Sequence, residues 1–237
     1  MQKKRQNNYT LPYYLKERGV SSDLFLVVVE GRNTEKIYFE QLKSIKNRNS
    51  NIKIETVSAE GGDIERMLKI ARDRIKKSRN IKDIRNAPIK KAFLIIDRDR
   101  FLNNMYSGIG LDSLRKGIES IGPKEPIEII VSAPSFEYWY LLHFCDSRPA
   151  NYDKIILKLE GFLRLKSIIP EQQSYSKKED EVNKMLKKFL STMDIKIAIE
   201  NAEKISTLYE KDGTGRLDRD PYTEVHRVIR ILQLDKR

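Results

Sequence analysis

The stretch DLFLVVVEGRNTEKIYFEQLK, residues 23 to 43, decides the fold. Residues 24 to 29 are apolar without interruption, the pattern of a strand covered on both faces, as in a parallel sheet. The run ends on Glu30 and Gly31. From Thr34 the spacing of Ile37, Tyr38, Leu42 and Ile45 predicts a helix with those four side chains turned inward. A buried strand therefore delivers a carboxylate to its carboxyl end, where a helix begins.

Working outward, the same alternation recurs. A strand is predicted near 52 to 57, followed by a Gly61-Gly62-Asp63 turn whose aspartate can cap the next helix. After Pro88, AFLIID is a second apolar run ending on a carboxylate, Asp97. A helix near 111 to 120, a strand at 127 to 131 and a helix opening around Pro134 complete four alternations of strand and helix. The fold class is α/β, with right-handed crossovers, a mainly parallel sheet and helices on both faces.

From Asn151 the pattern changes. YDKIILKLEGFL, VNKMLKKFL, IKIAIENAEKISTLY and EVHRVIRIL carry apolar residues at helical spacing, with no convincing strand between them. A C-terminal helical appendage is expected, its last helix capped by Asp220 with Pro221 in the first helical position. The organisation expected is a basic N-terminal arm (1–22), an α/β domain (23–147) and a helical C-terminal region (148–237).

Composition limits the chemistry. No window is long and apolar enough to span a membrane, and residues 1 to 19 lack the apolar centre of a signal peptide, so a cytoplasmic location is expected. Cys145 is the only cysteine and His143 and His226 the only histidines, which excludes a Cys/His zinc site in practice; any metal must be held by oxygen. The formal charge of +12 favours a polyanionic partner such as nucleic acid. Eleven Lys or Arg face three acids between Glu65 and Lys91. There Ile64, Met67, Leu68, Ala71 and Ile75 form one helical face, leaving Arg66, Lys69, Arg72, Lys76, Lys77 and Arg79 to meet phosphates or solvent. For one charged helix alone, a solvated face is the commoner outcome. GTGRLDRDP contains Gly-Thr-Gly but lacks the Lys-Ser/Thr of a phosphate loop.

Ligands of parallel sheets sit outside the carboxyl ends of the strands, where Glu30 and Asp97 are expected. Asp99 follows in IIDRDR, and in an extended segment residues i and i+2 point the same way, so Asp97 and Asp99 can face one ion. Three converging carboxylates call for a cation, and hard oxygen donors select Mg²⁺ or Mn²⁺. Arg98 and Arg100 can instead neutralise them in a surface ion-pair turn.

E-G-x-x-T-E-x-x-Y-F at Glu30 to Phe39, D-R-D at Asp97 to Asp99 and S-x-P-x-F-E-x-W-x-L-L-H-F at Ser132 to Phe144 resemble the RloB-like proteins, a family associated with bacterial restriction and phage-defence loci. DPYTEVHRVI near the end fits the same family. The glutamate-glycine and D-x-D features also resemble the Toprim domain of topoisomerases, primases and OLD-type nucleases. The chain departs from the family pattern at Ala133, where a more polar residue is expected.

The resemblance implies a Toprim-like fold, with Glu30 as the Toprim glutamate and Asp97 and Asp99 as its metal-binding pair. It matches Glu35 to a second acid used by OLD-type nucleases with two metals; an acid in a first helical turn also simply complements the helix dipole. Glu137 falls away from the aromatic stripe of Phe136, Trp139, Tyr140 and His143, and at the same sheet edge it can supply or orient a ligand. A core role is expected for Trp139 and His143. Lys177 is a candidate phosphate contact, although solvated lysines are commoner. The function implied is a Mg²⁺- or Mn²⁺-dependent nuclease acting on DNA or RNA in antiphage defence, with an ATPase or other defence subunit among its partners. The alternative is a non-catalytic nucleic-acid-binding or partner-binding module.

Overall fold

The computed structural model describes residues 23–46, 52–61, 63–80, 87–99, 110–232 and 234; the N-terminal arm and Arg100 lie outside them. Its strands are β1 (Asp23–Val29), β2 (Ile52–Ser58), β3 (Ile89–Asp97), β4 (Ile127–Ala133) and β5 (Tyr222–Thr223). They form one sheet of order β2-β1-β3-β4-β5, in which only β5 is antiparallel to its neighbour.

The unbroken apolar runs have the cause that parallel strands give them. In β1, Phe25, Val27 and Val29 point into one apolar cluster, and Leu26 and Val28 into another on the opposite face. The second cluster is closed by α2 (Ile64–Asn80) and α3 (Gly110–Glu119). Ile64, Met67, Leu68, Ala71 and Ile75 are all buried there, as their spacing predicts, and Asp63 caps α2 by accepting the Arg66 N–H at 2.8 Å.

The first cluster takes α1 (Thr34–Lys46) together with α4 (Glu137–Leu142), α5 (Tyr152–Leu165), α6 (Glu179–Thr192), α7 (Ile195–Lys211) and α8 (Val225–Ile231). Ile37, Tyr38 and Leu42 of α1 are buried, but Ile45 is 42% exposed. Phe39 is buried beside Tyr38, their rings 5.5 Å apart. The tail helices thus share one apolar mass with the sheet face.

Two expectations for the tail are corrected. Residues 222–223 form a strand, paired to Ser132 and Ala133 and fastened by a 2.8 Å hydrogen bond between the hydroxyls of Ser132 and Thr223. Asp220 and Pro221 consequently do not open a helix: α8 starts at Val225. Asp220 serves elsewhere, its carboxylate accepting from Arg98 at 2.5 Å.

A carboxylate cluster at the carboxyl edge of the sheet

The chain leaves β1 for β2 on one side, then returns to place β3 on the other side of β1. The connections therefore diverge between β1 and β3, and a crevice opens at their carboxyl ends. Glu30 follows β1 and Asp97 ends β3, one on each side of it. Their contact is direct: the Asp97 N–H lies 3.4 Å from Glu30 Oε2.

Glu35 comes from the first turn of α1 and Glu137 from the first turn of α4. A cavity of about 210 Å³ is lined by Glu30, Glu35, Asp97 and Glu137, with Gly31, Arg32, Asn33, Thr34 and Lys177 completing it. Glu30, Glu35 and Glu137 are buried. At Gly31 the backbone approaches the Glu35 carboxylate closely, and a Cβ there would stand 2.4 Å from Glu35 Oε2, so that the side-chain end would have to move.

Backbone and hydroxyl donors hold these acids. Asp97 Oδ1 accepts the Phe136 N–H at 2.8 Å, so the turn after β4 grips the end of β3. Glu137 is fully enclosed: Ser135 donates to its Oε2 at 2.6 Å, and the Tyr175 hydroxyl donates to its Oε1 at 3.0 Å. Lys177 Nζ also reaches Glu137 Oε1, at 2.8 Å. The lysine arrives on the segment between α5 and α6, which is tied to the β1–α1 loop by Asn33 donating to the Lys177 carbonyl at 2.8 Å.

The electrostatics follow from burial and crowding. Burial pushes the Glu35 carboxyl up to about 7, with the charges of Glu137 and Glu30 adding to the rise. Burial likewise raises Asp97 well above the usual range, and Glu35, Glu137 and Glu30 reinforce it. For Lys177, burial opposes the charge but the adjacent Glu137 outweighs it and raises the ammonium. Four carboxylates thus face two cationic side chains in the cavity lining, Lys177 and an exposed Arg32 that pairs with Glu60, and this excess of acidic oxygen donors suits a hard divalent cation. Among the described residues, no three His, Cys, Asp or Glu side chains are already gathered at metal-holding geometry. The fit is one of donor chemistry.

Asp99 is not brought into this lining. The chain leaves extended geometry after Asp97 and Arg98–Asp99 enter a helical turn, so the i, i+2 parity of a strand does not apply. Asp99 Oδ1 accepts from Arg98 at 2.9 Å instead. The buried Arg98 also donates to the Arg219 carbonyl at 3.0 Å and to Asp220, clamping the tail against the end of β3. Of the D-R-D motif, Asp97 thus belongs to the cavity and Arg98 and Asp99 to a tertiary clamp.

The basic helix is placed differently again. The Ile89 N–H donates to Ser78 Oγ at 3.0 Å, which sets Lys76 and Lys77 near the start of β3, while the carboxylates lie at its end. Nine residues of strand separate the two edges, roughly 25 Å at the rise of an extended chain. Arg66 and Lys69 are exposed nearer the other end of α2, and Arg72 is engaged by Glu125 at 3.0 Å. His143 and Trp139 sit in the core: Trp139 donates to the Tyr38 hydroxyl at 2.7 Å, and burial lowers His143 to about 4, leaving it neutral.

The sequence model of the RloB-like protein family matches residues 25–232. The chain belongs to the RloB-like family. Comparison with curated proteins and with solved structures gives no match. The RloB-like match includes all four carboxylates of the cavity and Lys177. Tyr175 and Ser135 are the residues of this RloB-like site that sequence reasoning missed. Only the proximity of Tyr175 to Lys177 in SYSKK, and of Ser135 to Glu137, hinted at them.

Proposed function

We propose that the protein is a nuclease that hydrolyses phosphodiester bonds of DNA or RNA with the help of Mg²⁺ or Mn²⁺, acting in the bacterial cytoplasm in antiphage defence. The observation that carries this reading is the convergence of Glu30, Glu35, Asp97 and Glu137 on one cavity at the β1/β3 divergence. These four would hold the cation. Once bound, it would supply Lewis-acid polarisation of a phosphodiester oxygen.

The chain's own residues have distinct tasks. Lys177 brings an ammonium to the cavity and can pair with a phosphate oxygen in place of Glu137. Glu35, poised near neutrality, can accept or return a proton at its carboxylate. The Phe136 N–H and the Ser135 and Tyr175 hydroxyls fix Asp97 and Glu137, so that those acids need little reorganisation. The Toprim and OLD resemblance of the motifs supports the same chemistry, and an ATPase subunit is the partner that resemblance suggests.

A second reading has its own support: Lys177 already neutralises Glu137, as it would in a non-catalytic binding module. Incubating the purified protein with plasmid, single-stranded DNA and tRNA, in Mg²⁺, Mn²⁺ or EDTA, separates the two. The nuclease reading expects divalent-dependent cleavage of at least one of them; the module reading expects retention without cleavage under every condition.

A further inference from the structure

Lys177 lines two cavities at once. One is the carboxylate cavity; the other, of about 420 Å³, is lined by Tyr152, Asp153, Ile156, Leu157, Glu160 and Tyr175. The lysine is the boundary between an acidic chamber and an aromatic-aliphatic hollow. Its Nζ stands 5.4 Å from the centre of the Tyr152 ring. Tyr175 joins the same two chambers, since its hydroxyl donates to Glu137.

The hollow is built and open. Glu160 in its lining accepts the Tyr175 N–H at 2.7 Å and pairs with Arg164 at 3.0 Å. Its wall is apolar where solvent reaches it: Leu157 is 69% exposed, an isolated side chain with no core to serve. An aromatic ring, an aliphatic wall and an adjacent ammonium are what a nucleobase and its phosphate require together. The π face stacks, and the cation takes the backbone charge. A duplex keeps its bases stacked on one another and cannot offer one to a recessed ring, whereas a single strand can.

We propose that the Tyr152–Leu157 hollow is a stacking subsite for one unpaired base of a single-stranded nucleic acid, placed so that its phosphate meets Lys177 at the mouth of the carboxylate cavity. This rests on the nuclease reading for the meaning of the cavity, but the subsite itself is a binding feature. It makes single strands, or the unpaired ends and loops of folded RNA, the preferred substrates over intact duplex.

The test is a binding cycle in EDTA, which needs no cleavage. A short single-stranded oligonucleotide is compared with a series carrying one abasic residue at each position in turn, against the full-length wild type, Tyr152→Ala and Tyr152→Trp. The wild type should lose about 5- to 150-fold in affinity at one abasic position, the range expected of a single base–aromatic stack. Tyr152→Ala should bind the intact strand more weakly by a similar factor and be indifferent to that abasic position, the non-additivity of two partners in contact. Tyr152→Trp should restore both affinity and position sensitivity, which separates a lost stack from a damaged fold.

The subsite is overturned if the wild type binds no single strand, if no abasic position matters, or if Tyr152→Ala keeps the full abasic penalty. Coupling between Tyr152 and one base with no cleavage under any divalent ion would retain the subsite and remove the nuclease reading. Cleavage without coupling would do the reverse.

Discussion

Lys177 Nζ and Glu137 Oε1 stand 2.8 Å apart, joining a half-exposed lysine of the α5–α6 segment to a carboxylate fully enclosed at the head of α4. The pair closes the acidic cavity from the tail side. In this state the ammonium occupies part of the role that a divalent cation would take.

If the lysine and a metal compete for Glu137, Lys177→Met should bind Mn²⁺ several-fold more tightly while losing cleavage by roughly 10²-fold, the usual cost of removing one preorganised charge-stabilising donor. Calorimetric titration and single-turnover rates on the same preparation check this. Parallel loss or parallel retention of both properties would count against the competition.

The pH dependence has a definite sign. Glu35 titrates near 7 in the fold against 4.5 in the unfolded chain, chiefly because it is buried. The folded state therefore holds the proton more firmly, and the resulting stability is complete below pH 4.5 and is lost as pH rises to 7 and beyond. Asp97 adds in the same direction. Glu35→Gln should melt at a higher temperature than wild type at pH 8, by roughly 2–4 °C for each kcal/mol relieved, with the gap vanishing towards pH 4.5. Mn²⁺ affinity of the wild type should rise through pH 7 with proton release. Scanning calorimetry across pH would contradict this with a constant gap.

Gly31 offers a separable test. A methyl group there meets the Glu35 carboxylate at 2.4 Å, and the flexible end of Glu35 has to move rather than the backbone. Gly31→Ala is expected to weaken Mn²⁺ binding by about 10-fold or more, the scale seen when a metal ligand's orientation is disturbed, with a melting temperature close to wild type. A large melting shift with unchanged metal binding would show that the glycine serves the backbone instead.

The position of α2 predicts which cations matter to nucleic acid. Lys76→Glu/Lys77→Glu, at the far edge of the sheet, should leave the slope of log affinity against log salt unchanged. Arg32→Glu, in the cavity lining, combined with Lys178→Glu, next in sequence to Lys177, should flatten it by about 0.7 to 0.9 per lost contact. The reverse result would move the nucleic-acid path to the face of α2.

How far the sequence carries can be seen residue by residue. β1 and β3 were legible because burial on both faces makes their apolar runs continuous, and α2 because its five buried residues recur at one spacing. Glu30, Glu35, Asp97 and Glu137 were legible as acids at the ends or starts of such elements. Thr223 was not readable as strand: two residues are too few for a period, and the pairing with the β4 edge and the Ser132 hydroxyl is a tertiary contact. Asp99 lies outside the cavity lining because the strand ends at Asp97, and strand parity does not reach two residues beyond it. The site partners of Lys177 depend on contacts such as that with Asn33, 144 residues away in sequence, which no local pattern encodes.

The measurement closest to the central claim is cleavage of single-stranded DNA and tRNA in Mn²⁺ by wild type, Glu30→Gln, Asp97→Asn and Asp99→Asn, with binding followed in parallel. The account predicts cleavage by wild type that EDTA stops and that Glu30→Gln and Asp97→Asn each reduce by at least about 10²-fold, with strand binding kept. Asp99→Asn, which loosens the Arg98 clamp rather than the cavity, should lose less. Cleavage by Glu30→Gln at the wild-type rate, or no cleavage by wild type with any divalent ion, would contradict it.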